Sequence, residues 1–259
     1  MSINLCTDQI AMMLAAPGQL VSVSHLALDP LSSSMAEEAG AYVVNRGQAE
    51  QVYLLAPDLV LAGQYNSPAT IALLRGFGIR VEQVAAVTSL DGVPGQVRAV
   101  ARALSREAEG EALVAEFAAG LAALAEPRTQ APPISAALYY PNGYTSGEGT
   151  LADDVLAHVG LENIGARAGL SGGGILALER LVLAAPQLIV TSTPYPGASR
   201  SEEILRHPAL ARLREGAGVA ATTDADWVCG TPHVLRAVAA MARARAAFEA
   251  RETPEGPAP

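Results

Sequence analysis

Two short, unbroken apolar runs stand out along the chain: Leu59-Val60-Leu61 and Leu188-Ile189-Val190. Apolar runs of this length without polar alternation are the pattern of strands buried on both faces. Each follows a helical stretch that must end by Pro57 or Pro186, because the residue before proline is driven out of the helical region. Each leads into a polar loop and a further helix, around Pro68 to Arg75 and around Ser201 to Leu213. Helix, strand, loop, helix, strand is the order of a parallel α/β sheet.

The two runs belong to related segments, VYLLAPDLVLAGQY at Val52 to Tyr65 and LVLAAPQLIVTSTPY at Leu181 to Tyr195. Pro57 and Pro186 lie 186 − 57 = 129 residues apart, a spacing shared by Glu50 and Glu179, Leu54 and Leu183, and Leu59 and Leu188. Order, neighbours and spacing together predict a duplication, hence two similar α/β lobes. Between the copies, Gly95 to Ala125 lacks proline and repeats apolar residues at Val97, Val100, Leu104, Val114, Phe117, Leu121 and Leu124. That stripe predicts a helix, bracketed by Pro94 and Pro127. At 1.5 Å per residue, about 30 residues reach roughly 45 Å, enough to tie two lobes together. The predicted organisation is an N-terminal α/β lobe over 1–92, an interlobe helix over 93–127, a C-terminal α/β lobe over 128–250 and a loose, proline-rich tail over 251–259. The segment TQAPP is expected to enter the second lobe extended.

Composition narrows the chemistry. The 259 residues carry a formal charge of −9, which argues against a nucleic-acid partner. No apolar run reaches the roughly 18 residues of a membrane-spanning helix. All 17 basic residues are arginine, which excludes a phosphate-loop lysine, a Schiff base and a lysine general base. No charged leader or small-residue cleavage site opens the chain, and MSINL starts directly in what reads as a strand; a mature or trimmed form is expected. Cys6 and Cys229 fit no zinc spacing. An oxidising compartment would permit a disulfide between them, but sequence does not supply the Cα separation this needs. The run SGGGIL lacks the spacing of a nucleotide loop and reads as a flexible turn.

Two α/β lobes joined by one long helix, with a ligand cleft between the lobes, resemble the helical-backbone class of periplasmic substrate-binding proteins that serve ABC importers. Within it, the chain is most similar to the cobalamin and ferric-siderophore receptors. VSVSHLALDP resembles the first cleft loop, APDLVLAGQY the second, YTSGEGTLADDVLAHVGLENI the entry to lobe two, and DWVCGTPHVLRAV the approach to the last helix. The resemblance implies a receptor that delivers a bulky metal chelate to an importer permease. A corrinoid is ranked slightly above a ferric siderophore, with haem third. No resident cofactor is expected, because the metal would arrive inside the ligand. A periplasmic monomer with neither nucleic-acid partner nor membrane span is expected.

In parallel α/β sheets ligands sit beyond the carboxyl ends of the strands. Gln64 and Tyr65 follow the first run and Tyr195 the second, and the resemblance implies that the two aromatics grip one ligand from opposite sides. A tyrosine stacks an apolar face while its hydroxyl keeps a polar partner. His25 is read as lining the cleft rather than as a metal ligand. Arg46 either pairs an anionic ligand group or is a solvated loop arginine. Tyr144 and Thr145, in NGYTSGEG, either mould around the ligand or form a plain turn. Trp227 either faces the cleft or plugs the core of the second lobe. By the resemblance, Glu202 and Glu203 are surface acids docking the permease; alternatively, they are first-turn acids favoured by the helix dipole. The matching stretch of lobe one has no acid, which leaves Glu37 or Glu38. A two-lobe enzyme is the rival class, yet there is no Gly-x-Ser-x-Gly or His-Glu-x-x-His, and Asp153-Asp154 reads as a pair of first-turn acids. A receptor for a bare metal ion would have to gather the scattered His25, His158, His207 and His233.

Overall fold

The computed structural model describes residues 1–125, 133–192, 199–222 and 224–252. The chain divides into two compact units: residues 1–119 with 224–234, and residues 120–223 with 235–259. Each is an α/β unit.

Unit 1 runs α1 (Leu5–Leu14), β1 (Ser22–Ser24), α2 (Ala36–Ala39), β2 (Val43–Asn45), α3 (Ala49–Leu54), β3 (Leu59–Gly63), α4 (Pro68–Gly76), β4 (Arg80–Val84), α5 (Val93–Leu104) and most of α6 (Glu107–Ala123). β1 pairs with β2 and β3 with β4, both parallel. Residues 1–3 close the gap between these pairs. Ser2 N donates to Ser22 O at 3.0 Å, while Ile3 N donates to Leu61 O at 3.0 Å and Leu61 N to Met1 O at 2.9 Å. The buried Asn45 amide tightens this seam, donating to Ser2 O and Ser22 Oγ. The spatial order is therefore β2, β1, residues 1–3, β3, β4. The earliest strand lies in the middle, and the connections leaving it and β3 wind apart.

Unit 2 contains the end of α6, then β5 (Ile134–Leu138), β6 (Tyr144–Ser146), α7 (Leu151–His158), β7 (Leu161–Asn163), α8 (Ile164–Arg167), β8 (Gly173–Ile175), α9 (Leu178–Ala184), β9 (Leu188–Ser192), α10 (Pro208–Gly216), β10 (Gly218–Thr222) and nearly all of α11 (Val234–Glu252). Its main sheet is parallel in the order β10, β9, β5, β7. Here too the first strand is internal and the later ones lie beside it. β6 and β8 form a small antiparallel pair.

The duplication predicted from sequence extends to backbone detail. Ala56 and Ala185, 129 residues apart, both adopt left-handed conformations, with φ of 44° and 43°. Each ends the approach from its helix and hands the chain to proline and then a buried strand, β3 or β9. Each strand pairs over five residues with the next, Leu59 opposite Arg80 and Leu188 opposite Gly218. The helices α4 and α10 are both nine residues long, open with proline and end in glycine. Proline suits the first helical position because its missing N–H has no intrahelical acceptor there. Val60 and Ala62 enter the unit 1 core with Val52, Ile71 and Leu74; Ile189 enters that of unit 2 with Leu181, Leu205 and Leu210.

Two local readings differ. The stretch predicted as one helix is two, α5 and α6, broken where Ser105 turns left-handed at φ 55°. Arg106 N reaches back to Ala101 O at 2.8 Å, the six-to-one bond of a Schellman cap. The second-copy helix expected from Ser201 is a 3-10 turn, Arg200–Arg206, and α10 restarts at Pro208 with the His207 ring accepting from Ala209 N. In addition, α11 continues to Glu252, into the segment predicted to be loose. Residues 253–259 of that tail and most of TQAPP lie outside the described residues.

Candidate functional site

The carboxyl ends of the unit 1 strands converge on one edge. Ser24 and Asn45 are partners in the β1–β2 ladder, so His25 and Arg46, the next residues, leave the sheet side by side. Both are exposed. Below His25, the Asp8 carboxylate accepts from Ser24 N at 3.1 Å and Ser24 Oγ at 2.5 Å. Asp8 is fully buried, and burial pushes its pKa up to about 6, although hydroxyls of Ser2 and Ser24 oppose the rise.

Beyond β3 the chain forms a braced loop. Gln64 Oε1 accepts from Ala86 N at 3.1 Å, linking it to the loop after β4. Asn66 Oδ1 accepts from Gly63 N at 2.7 Å, and its amide donates to Ile3 O at 3.1 Å. A Cβ on Gly63 would meet the Asn4 side chain at 2.6 Å, and that side chain caps α1 by accepting from Cys6 N and Thr7 N. Between the braces stands Tyr65, whose side of the loop is open: the residue is 81% exposed. It sits where the connections from residues 1–3 and from β3 wind apart, the switch point at which open parallel sheets hold ligands. Gln64 thus braces the loop through its carbonyl oxygen.

Residues 224–234 complete this edge. Cys229 is disulfide-bonded to Cys6 in the first turn of α1, with Cα atoms 5.2 Å apart. Ser34 Oγ donates to Ala225 O at 2.7 Å and lies 3.1 Å from Asp226 Oδ1. Trp227, read from sequence as cleft-facing or as core of the second lobe, is only 6% exposed and belongs to unit 1. The reason is topological, because the chain leaves unit 2 after residue 223 and returns to unit 1 before α11.

In unit 2, Tyr144 begins β6 just beyond the carboxyl end of β5 and is 45% exposed. Its hydroxyl end rests on the Gly173 backbone, where no Cβ would fit, and its ring centroid lies 6.4 Å from that of Tyr140. Thr145 alternates to the other face and is fully buried, so it supports the turn from beneath and does not present a surface. Tyr195 lies outside the described residues. Glu202, expected at the surface with Glu203, is 5% exposed. In a 3-10 turn positions three apart eclipse, so Glu202 is turned inward with the buried Leu205, while Glu203 and Arg206 face out.

Among the described residues no three His, Cys, Asp or Glu side chains gather into a metal-binding group. His158 lies against Leu121 O and His207 caps α10. No described helix is long and apolar enough to cross a membrane. A cavity of about 320 Å³ in unit 1 is lined by Met1, Val21, Asp58, Leu59 and Arg80, which stand at the amino ends of the strands, away from the Tyr65 edge.

The family model described as periplasmic binding protein matches residues 1–215. The chain belongs to that family. This is the resemblance read from the sequence, and it covers both copies of the repeat. Among curated proteins, a cobalamin-binding protein of Halobacterium salinarum is 32% identical over 157 residues, 58% of this chain and 42% of the relative. The match thus spans less than half the length of that curated relative. Among solved structures, the periplasmic heme-binding protein RhuT from Roseiflexus sp. RS-1 aligns with a TM-score of 0.74 at 24% identity, covering 94% of this chain and 97% of the other. The periplasmic vitamin B12 binding protein BtuF of Vibrio cholerae aligns at 0.70 and 21% identity, covering 96% of each. These alignments share the two-lobe α/β fold of periplasmic binding proteins.

Proposed function

We propose that the chain is the substrate-binding receptor of an ABC importer and carries a bulky metal chelate, a corrinoid in the first place. The observation that carries this reading is Tyr65, a large ring 81% exposed on a loop braced at both ends, at the switch point of a parallel sheet. Exposed tyrosines are ordinary on protein surfaces, but one whose neighbours Gln64 and Asn66 are both hydrogen-bonded into the unit presents its ring at a fixed place, which suits stacking on a flat ligand. Exposed His25 and Arg46 on the same edge supply polar contacts to amides or to a phosphate. The curated relative named for cobalamin favours the corrinoid. Periplasmic placement is favoured by the Cys6–Cys229 disulfide, since such bonds persist in oxidising compartments.

Haem is the second reading, because RhuT is named for heme and a tyrosine phenol is a haem-iron ligand. A ferric siderophore is third. For permease docking, Glu203 is the acid of unit 2, and Glu37 and Glu38, both exposed in α2, are those of unit 1.

A ring buried against a planar ligand contributes on the order of 1–3 kcal/mol, so Tyr65→Ala should weaken cyanocobalamin binding by roughly 5- to 150-fold. The unfolding midpoint should stay unchanged, since the ring is not core. Tyr65→Phe keeps most affinity if stacking dominates and loses it if the hydroxyl coordinates a metal. Normal binding by Tyr65→Ala would move the site off this edge.

A further inference from the structure

We infer that Val228 is a ligand-contacting, specificity-determining residue on the unit 1 edge, and that the Cys6–Cys229 disulfide is the latch that puts it there. The inference rests on the receptor reading and adds a wall to its site.

Three attachments lay residues 225–230 across the carboxyl edge of the sheet. Ser34, in the connection after β1, holds Ala225 O at 2.7 Å. Cys6, just past the strand of residues 1–3, holds Cys229 covalently. Val87, three residues past the end of β4, packs against Gly230 so closely that a Cβ on Gly230 would overlap the valine side chain. β1, the central strand of residues 1–3 and the edge strand β4 thus each send a connection to the same short segment.

The same connections hold the Tyr65 loop. Gln64 bonds Ala86, the neighbour of Val87, and Asn66 bonds Ile3, which precedes the Asn4 cap of the helix bearing Cys6. Tyr65 and residues 227–230 are therefore two walls fixed to one frame.

Within that segment the burial alternates sharply. Trp227 is 6% exposed and Cys229 1%, while Val228 between them is 54% exposed. With both neighbours anchored, the valine has almost no freedom to fold its methyl groups away from water. A pre-positioned apolar side chain on a rigid frame adds affinity for an apolar ligand face with little ordering cost.

The test uses the full chain and a panel of cyanocobalamin, haemin, ferrichrome and molybdate. Val228→Glu should weaken whichever of cyanocobalamin, haemin or ferrichrome binds by about tenfold or more, because it sets a carboxylate against an apolar face. Val43→Glu is the control; Val43 is equally exposed at 55% but starts β2, at the amino end of the sheet, and should bind as wild type. Gly230→Ala should weaken binding by pushing the segment off Val87, and Gly230→Ala/Val87→Gly should restore it. Reduction of the disulfide should raise amide exchange across residues 225–230 and lower affinity together. Wild-type affinity in Val228→Glu would overturn the inference while leaving the receptor reading intact. Absence of saturable binding to any of the four probes by the wild-type chain would overturn both.

Discussion

Asp8 gives the protein a pH dependence that one substitution should remove. Its carboxyl group is buried in α1 beneath the His25 turn, and burial raises its pKa from 3.8 to about 6. A raised folded value means that the native state holds the proton more tightly than the unfolded chain. The resulting stabilisation is complete below pH 3.8 and is lost as pH rises through 6. At about 1.36 kcal/mol per pH unit, the gap between 3.8 and about 6 corresponds to about 3 kcal/mol. Asp8→Asn keeps an oxygen to accept from Ser24 and does not titrate. Urea unfolding of both proteins from pH 4 to pH 8 should therefore show the difference between them moving by about 2 kcal/mol in favour of the variant, the rest of the span lying below pH 4. Most of that change should fall between pH 4 and pH 6, with little above pH 7. Parallel curves across the range would refute the argument, because they would mean that the carboxyl group is solvated in the native state.

Three further outcomes follow from the same structure. Ala56→Gly and Ala185→Gly should each change stability by less than about 0.5 kcal/mol, since relief of the left-handed alanine offsets the extra freedom of glycine in the unfolded chain, whereas Ala118→Gly inside α6 should cost about 1 kcal/mol in the same denaturation assay. Cys6→Ser/Cys229→Ser opens a loop with a sequence separation of 223, and chain entropy sets the loss at up to about 5 kcal/mol, readable as a lower urea midpoint. Glu203→Ala should reduce stimulation of the importer's ATPase without altering the melting temperature, while Glu202→Ala, at a buried position, should lower the melting temperature.

The parts of this fold that were legible in sequence are those written in local pattern. The buried runs of β3 and β9 were readable because apolar continuity is itself the signal, and the 129-residue spacing carried the duplication. The opening residues read as a strand, and they are the central one. The helix break at Ser105 was written more faintly, in the nine residues that separate Leu104 from Val114 in the apolar stripe. What the sequence did not carry were long-range returns. Nothing local assigns Trp227 to unit 1 or brings Cys229 to Cys6, because that depends on where the chain re-enters after residue 223. Glu202 and Glu203 are alike as letters, and only the threefold period of a 3-10 turn makes one buried and the other exposed. Asp8 carries no local signal of its burial, which comes only when β1 brings Ser24 against it. Val228 had no signal of its own beyond its place between two residues that are anchored in three dimensions.

The central claim is that this chain binds a corrinoid and releases it unchanged. Calorimetric titration of the purified chain with cyanocobalamin, followed by mass analysis of the recovered ligand, tests it most directly. The account predicts a saturable one-to-one isotherm and an unaltered ligand. No heat of binding with cyanocobalamin, alongside saturable binding of haemin or a ferric siderophore, would contradict the corrinoid assignment, and a chemically altered ligand would contradict the receptor reading itself.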